Sequence, residues 1–131
     1  MTTIFVYGTL RRAYSGGMAK MLAENAEFLG PATTTGDMYA FGYPGVVEGL
    51  GEIKGDLYEV NDDKVMESLD QYEGHPSLFK RIDGTAVDSD GNEVPMQYYL
   101  YQHSTQGAKQ IEDGDYLRHV AERENMMASA L

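Results

Sequence analysis

Glu73 stands one residue before Gly74 in the run Leu69-Asp70-Gln71-Tyr72-Glu73-Gly74, and its spacing makes it the candidate proton carrier of this chain. On a helix it lies one turn from Leu69 and two turns from Met66, on the side of an apolar stripe. It also falls in the last turn, where the helix dipole presents partial negative charge. Both surroundings disfavour the carboxylate and push its pKa toward the range that acid–base catalysis near neutrality requires. The plain alternative is a glutamate fraying into solvent. A second candidate is the string Ile4-Phe5-Val6-Tyr7-Gly8-Thr9-Leu10-Arg11, an apolar strand that breaks into a glycine turn. Gly8 has no Cβ, so the backbone N–H groups of the turn can approach a carboxylate or phosphate closely. Thr9 adds a hydroxyl, and Arg11 and Arg12 bring positive charge. The alternative there is a tight turn and nothing more.

Other polar residues offer less. Asp70 and Glu73 have the spacing of a carboxylate pair, but Asp70 is read as capping or pairing locally. His75, His103 and His119 lack metal-ligand spacing and no cysteine joins them, so no zinc site is expected. Tyr99 and Tyr101 share one face of a strand and Tyr98 takes the other, which reads first as core and rim packing. The run Gly42-Tyr43-Pro44-Gly45 is a turn whose aromatic ring can wall a site. The run Ser15-Gly16-Gly17 lacks the lysine and spacing of a phosphate-binding loop.

The elements that must hold these residues can be read from period and punctuation. A strand is expected over residues 3–7 and a helix over 17–28, with Met18, Met21, Leu22 and Ala26 on one face and Gly30-Pro31 closing it. Strands follow at 36–41, at 46–48 and, more firmly, at 52–60, where Gly55 marks a bend or bulge. Asn61-Asp62 caps a second helix, Val65, Met66, Leu69 and Tyr72 form its stripe, and Gly74 stops it. Residues 79–87 and 94–102 read as a hairpin through 88–92. Residues 111–115 form a loop whose Asp115 caps a last helix from Tyr116 to about Met127. This is an α+β pattern with a curled or closed sheet.

The 131 residues are enough for one domain, 1–131, with a single core. The formal charge of −11 argues against general nucleic-acid binding, which needs a basic footprint. Cysteine is absent, which excludes disulfides and a thiol nucleophile and is compatible with a reducing cytosol. No apolar run approaches the length of a membrane span, and the first strand follows Met1 with little room for a targeting peptide. The expected location is cytoplasmic, with no membrane partner.

In order along the chain, Val6-Tyr7-Gly8-Thr9-Leu10-Arg11, Gly42-Tyr43-Pro44-Gly45, Gly55-Asp56-Leu57-Tyr58-Glu59-Val60 and Leu69-Asp70-Gln71-Tyr72-Glu73-Gly74 resemble the gamma-glutamylcyclotransferase-like family, which includes the AIG2-like proteins. Phe79-Lys80-Arg81 resembles its aromatic-x-Arg segment, Tyr99-Leu100-Tyr101 its tyrosine-bearing strand, and Gly114-Asp115-Tyr116 its closing Gly-Asp-aromatic motif. The family often has Tyr where Phe79 stands and Trp where Tyr116 stands. The resemblance implies a small mixed β-barrel with flanking helices and a cavity beside residues 7–10. It implies intramolecular aminolysis of a small γ-glutamyl amine or amino acid, releasing 5-oxoproline, with no metal or organic cofactor. Glu73 matches the family's general acid/base, while Tyr7, Gly8, Thr9, Leu10 and Tyr101 match substrate-binding positions. Two further readings stand beside this one: a member that keeps the pocket and binds a metabolite without turnover, and a structural or interaction domain. The leaving group is assigned to the segments 42–50 and 103–111, and oligomeric state is not read.

Overall fold

The computed structural model describes residues 1–14 and 16–129; Ser15, of the Ser15-Gly16-Gly17 run, lies outside the described residues. Strand β1 (Thr2–Val6) leads through a turn to helix α1 (Gly17–Asn25). Two long strands follow, β2 (Glu27–Ala40) and β3 (Pro44–Val60), and then helix α2 (Asp63–Glu73). The hairpin β4 (Phe79–Asp88) and β5 (Glu93–Tyr101), a short β6 (Lys109–Ile111) and helix α3 (Tyr116–Ser129) complete the order.

Pairing runs β3–β1–β5–β4–β2 and returns to β3, so five strands close into a barrel, and β6 pairs with residues 38–40 of β2 along the edge that meets β4 at residues 32–33. The pairs are antiparallel except β1 with β5, which meet in parallel at Ile4 and Gln97. Closure sends alternate residues of each strand into two different apolar environments. Phe5, Met38, Ile53, Leu57, Ala86 and Met96, drawn from all five strands, fill the barrel interior. Ile4, Val6, Tyr58 and Tyr99 point the other way and are covered by Leu22 of α1 and by Val65, Met66 and Leu69 of α2. β1 is therefore buried on both sides from Ile4 onward, as its unbroken apolar run requires.

Several local signals hold as read. The Asp62 carboxylate accepts the Lys64 N–H at 2.9 Å, and Gly74 ends α2 with φ 67°. The 79–102 hairpin keeps its expected position, and Asp115 accepts the Arg118 N–H at 3.2 Å at the start of α3.

Others are corrected by tertiary pairing. α1 stops at Asn25, because Ala26 is already extended and Phe28 pairs with Tyr58 across β2 and β3. Gly30-Pro31 closes no helix: it sits within β2, where a register shift between Phe28 and Gly30 bulges the strand without ending it. The short strands expected at 36–41, 46–48 and 52–60 merge into the β2–β3 ribbon. There a shift between Thr35 and Asp37 loops residues 48–51 out, and Gly51 N–H donates to Asp37 Oδ1 at 3.1 Å. Residue 111 belongs to β6, a strand that the residues around it did not signal.

Candidate functional site

A cavity of about 310 Å³ opens where the end of β1 meets the end of α2. Phe5 to Leu10 form one side, Tyr72 and Glu73 stand at the end of α2, Phe79 and Tyr99 come from the hairpin, and the Tyr43-Pro44 turn crosses the remaining side. Glu73 is its sole charged side chain among the described residues.

The sequence delivers Glu73 here because α2 is fixed at three points. Asp62 caps it, Val65, Met66 and Leu69 bury its inner face, and Gly74 adopts the left-handed conformation that turns the chain away immediately afterwards. The Gly74 N–H then donates to the Gln71 carbonyl at 3.2 Å and the His75 N–H to the Asp70 carbonyl at 2.9 Å. Burial raises the Glu73 pKa to about 7. Desolvation is the cause of this shift, and the aromatic wall assembled from other elements supplies it.

Around the carboxyl stand phenols that remain neutral. Tyr7 donates its hydroxyl to the Tyr99 carbonyl at 2.6 Å, and burial together with the nearby Glu73 charge pushes its pKa well up. Tyr99 donates to Asp70 Oδ1 at 2.7 Å; burial, and then that carboxylate, push it up as well. At the mouth, Thr9 Oγ1 and the Tyr72 hydroxyl lie 3.3 Å apart, with Tyr72 half exposed.

The turn at residues 8–10 is open toward the cavity. A Cβ on Gly8 would stand 2.6 Å from Pro44 Cγ, so the missing side chain lets two turns approach each other. Among the described residues, the N–H groups of Gly8, Thr9 and Leu10 meet no backbone acceptor. Three donors left unpaired beside a cavity form a seat for an oxyanion or a carboxylate.

The residues singled out from the sequence divide into those gathered here and those that are not. Tyr7, Gly8, Thr9, Leu10 and Glu73 meet around one cavity. Tyr101 does not line it. Its ring stacks behind the wall, with centroids 4.6 Å from Phe41 and 5.4 Å from Phe79. The Arg pair expected beside the anion seat is engaged elsewhere. Arg11 faces Asp56 and Asp115, each at 3.5 Å, and Arg12 lies 4.5 Å over the Phe28 ring. The expected leaving-group segment 42–50 is chiefly strand β3, and only its Tyr43-Pro44 turn reaches the cavity. Sequence reasoning missed the bidentate pair between Asp70 and Arg81, at 2.9 and 3.0 Å. Its signal was Arg81 in the aromatic-x-Arg segment, but nothing local links positions eleven residues apart on a helix and a strand.

Among the described residues, no group of three or more His, Cys, Asp or Glu side chains gathers to hold a metal ion. No helix among them is long and apolar enough to cross a membrane.

A closed five-stranded barrel with external helices and one desolvated carboxylate beside a free-amide turn defines the class of protein. The family model described as gamma-glutamyl cyclotransferase, AIG2-like, matches residues 4–118, and the chain belongs to this family. A protein of Methanocaldococcus jannaschii is 32% identical over 120 residues, covering 88% of this chain and 96% of its own. The gamma-L-glutamyl-butirosin B gamma-glutamyl cyclotransferase of Niallia circulans is 31% identical over 107 residues, covering 75% of this chain and 66% of its own. Among solved structures, an uncharacterized protein from Pyrococcus horikoshii superposes with a TM-score of 0.74 at 25% identity, covering 95% of this chain and 98% of its own.

Proposed function

We propose that this chain releases 5-oxoproline from a small γ-glutamyl amine or amino acid, with Glu73 as general acid/base and the 8–10 turn as the anchor for the glutamyl end. The observation that carries this reading is a carboxyl with a pKa of about 7 set alone in a cavity beside unpaired amides. At neutral pH, part of the Glu73 population is ionised and accepts a proton from the substrate's α-ammonium group. The freed amine attacks the γ-carbonyl carbon of the same molecule and forms the ring C–N bond. Glu73 then returns the proton to the leaving nitrogen as the original C–N bond breaks, takes the second proton from the ring nitrogen and passes it to the released amine, which departs as an ammonium and leaves Glu73 in its starting state.

The 8–10 amides hold the α-carboxylate or stabilise the developing oxyanion. Because both reacting groups belong to one bound molecule, holding the glutamyl chain bent supplies much of the rate gain. Tyr7 borders the reacting centre, and Tyr101 acts from behind by supporting Phe79. The Tyr43, Pro44 and Phe79 wall offers aromatic and apolar contact and no cation, so a leaving group without a second carboxylate fits it better.

The test is a mass-spectrometric screen of γ-glutamyl amines, γ-glutamyl amino acids and glutathione, with Glu73→Gln as control. The expected result is 5-oxoproline from at least one compound, lost in the variant. Binding without product, or equal product from the variant, overturns the proposal.

A further inference from the structure

We infer that Asp70 and Arg81 form a positioning pair for Glu73: together they clamp the last turn of α2 to the β4–β5 hairpin, and each cancels the charge the other would impose on the cavity. This inference rests on the reading of Glu73 as the proton carrier. Asp70 lies three residues before Glu73, on the adjoining part of the same helix turn. Both of its oxygens are held by Arg81, through Nε at 2.9 Å and Nη2 at 3.0 Å, and Oδ1 also accepts the Tyr99 hydroxyl at 2.7 Å. The third guanidinium nitrogen of Arg81 donates to Gln97 Oε1 at 2.7 Å, and Gln97 donates in turn to Asp83 at 3.1 Å. The backbone N–H of Arg81 donates to His75 Nδ1 at 3.0 Å, which ties the residues just after Gly74 to the same strand.

Planar bidentate pairing of this kind fixes both distance and angle, as a single-point ammonium contact does not. One end of the clamp reaches the cavity twice. Tyr99 lines it, and the Tyr99 carbonyl receives the Tyr7 hydroxyl at 2.6 Å. Removal of the clamp therefore loosens Glu73, Tyr99 and Tyr7 together.

The electrostatic consequence separates this role from simple bracing. Glu73 is faced by Tyr7 from the β1 turn, Tyr43 from the β2–β3 turn, Tyr99 from β5 and its own neighbour Tyr72, all phenols, and by the uncharged Phe79 from β4. The charged or titratable groups of the surrounding turn are Asp70, Arg81 and His75. Asp70 and Arg81 sit close enough to act on Tyr99 with opposite sign, and Glu73 acts on the same phenol. Removing either partner leaves one uncompensated charge on Tyr99, the phenol that shares the cavity with Glu73.

The test is a ¹³C NMR titration of the Glu73 carboxyl, assigned with Glu73→Gln, in the wild type, Asp70→Asn, Arg81→Gln and Arg81→Lys. Asp70→Asn leaves a cation and is expected to lower the Glu73 midpoint by roughly half a pH unit or more. Arg81→Gln leaves an anion and is expected to raise it by a similar amount. Arg81→Lys keeps the charge and loses the fork, so the midpoint is expected to hold while kcat falls roughly tenfold with little change in KM. Midpoints that stay fixed, or move the same way in Asp70→Asn and Arg81→Gln, overturn the inference. If Asp70→Asn does not fold, as judged by circular dichroism, equal midpoints in the two Arg81 variants overturn it instead. Wild-type protein that turns over no γ-glutamyl compound defeats the proposed activity alone, because the titration reads the pair without turnover.

Discussion

Two carboxylates flank the turn at residues 7–12, and they are handled in opposite ways. Asp56, on β3, is 5% exposed and fully engaged: it accepts the Arg12 N–H at 2.8 Å and faces the Arg11 guanidinium at 3.5 Å. Arg11 continues to Asp115 at the start of α3, so this side of the turn is an ionic latch between three parts of the chain. Glu73, on the other side, is more exposed yet meets phenols and apolar rings, and its pKa rises to about 7. Exposure alone therefore does not rank the two. A buried acid surrounded by donors is a structural tie, whereas an acid that faces a cavity without a cation keeps its proton available for exchange.

The comparison predicts that damage on the two sides has different signatures. Glu73→Gln is expected to cut 5-oxoproline release by roughly 10²–10⁴-fold, the usual range for loss of a general acid/base, measured by product mass spectrometry. The same variant is expected to be more stable than the wild type above neutrality. The Glu73 pKa moves from its ordinary 4.5 to about 7 in the folded protein, so the folded state holds its proton more tightly. Its cost to stability is absent below about pH 4.5, grows as pH climbs through that window and is complete above 7, where it amounts to roughly 3 kcal/mol. Thermal melts across pH should show the gain at pH 8 and none at pH 4. A Glu73→Gln protein less stable than wild type at pH 8 would contradict a desolvated carboxylate.

Asp56→Ala should behave conversely. It leaves the Arg11 guanidinium with Asp115 alone and strands the Arg12 N–H, and a loss of roughly 1–3 kcal/mol in urea unfolding is expected, with the Glu73 pH limb of activity unmoved. A shifted limb would show that the latch and the cavity are one electrostatic unit. Gly8→Ala is expected to cost roughly 1–3 kcal/mol, because its Cβ would meet Pro44 Cγ at 2.6 Å and one turn must retreat. Its kinetic signature should be a raised KM, since the 8–10 amides move with the turn. The smallest effect belongs to Tyr72→Phe, which removes a 3.3 Å contact between partly solvated hydroxyls. A change within about 0.5 kcal/mol in stability and within a few-fold in kcat/KM is expected.

Much of the frame was legible before any coordinates. α2 declared both of its ends through Asp62 and Gly74, because a capping carboxylate and a left-handed glycine act within a few residues of themselves. The 79–102 hairpin was legible for the same reason, from two β-rich runs and a polar turn. α1 was read too long, since the apolar spacing through Phe28 suits a helix until Tyr58 supplies a strand partner. Gly30-Pro31 misled equally, because a glycine that stops a helix also permits a strand bulge.

By itself the sequence determined which residues were chemically able to act. It put an acid at the end of an apolar-striped helix and a side-chain-free turn at the end of a buried strand, and both follow from short-range period and punctuation. Only the tertiary structure decided what those residues meet. Barrel closure brings the β1 turn, the end of α2 and the hairpin to one cavity, and the rings gathered there supply the desolvation that lifts Glu73. Closure also commits Arg11 to Asp56 and Asp115 and Arg81 to Asp70. Such long-range pairing depends on distances between elements, which residue spacing along the chain does not encode.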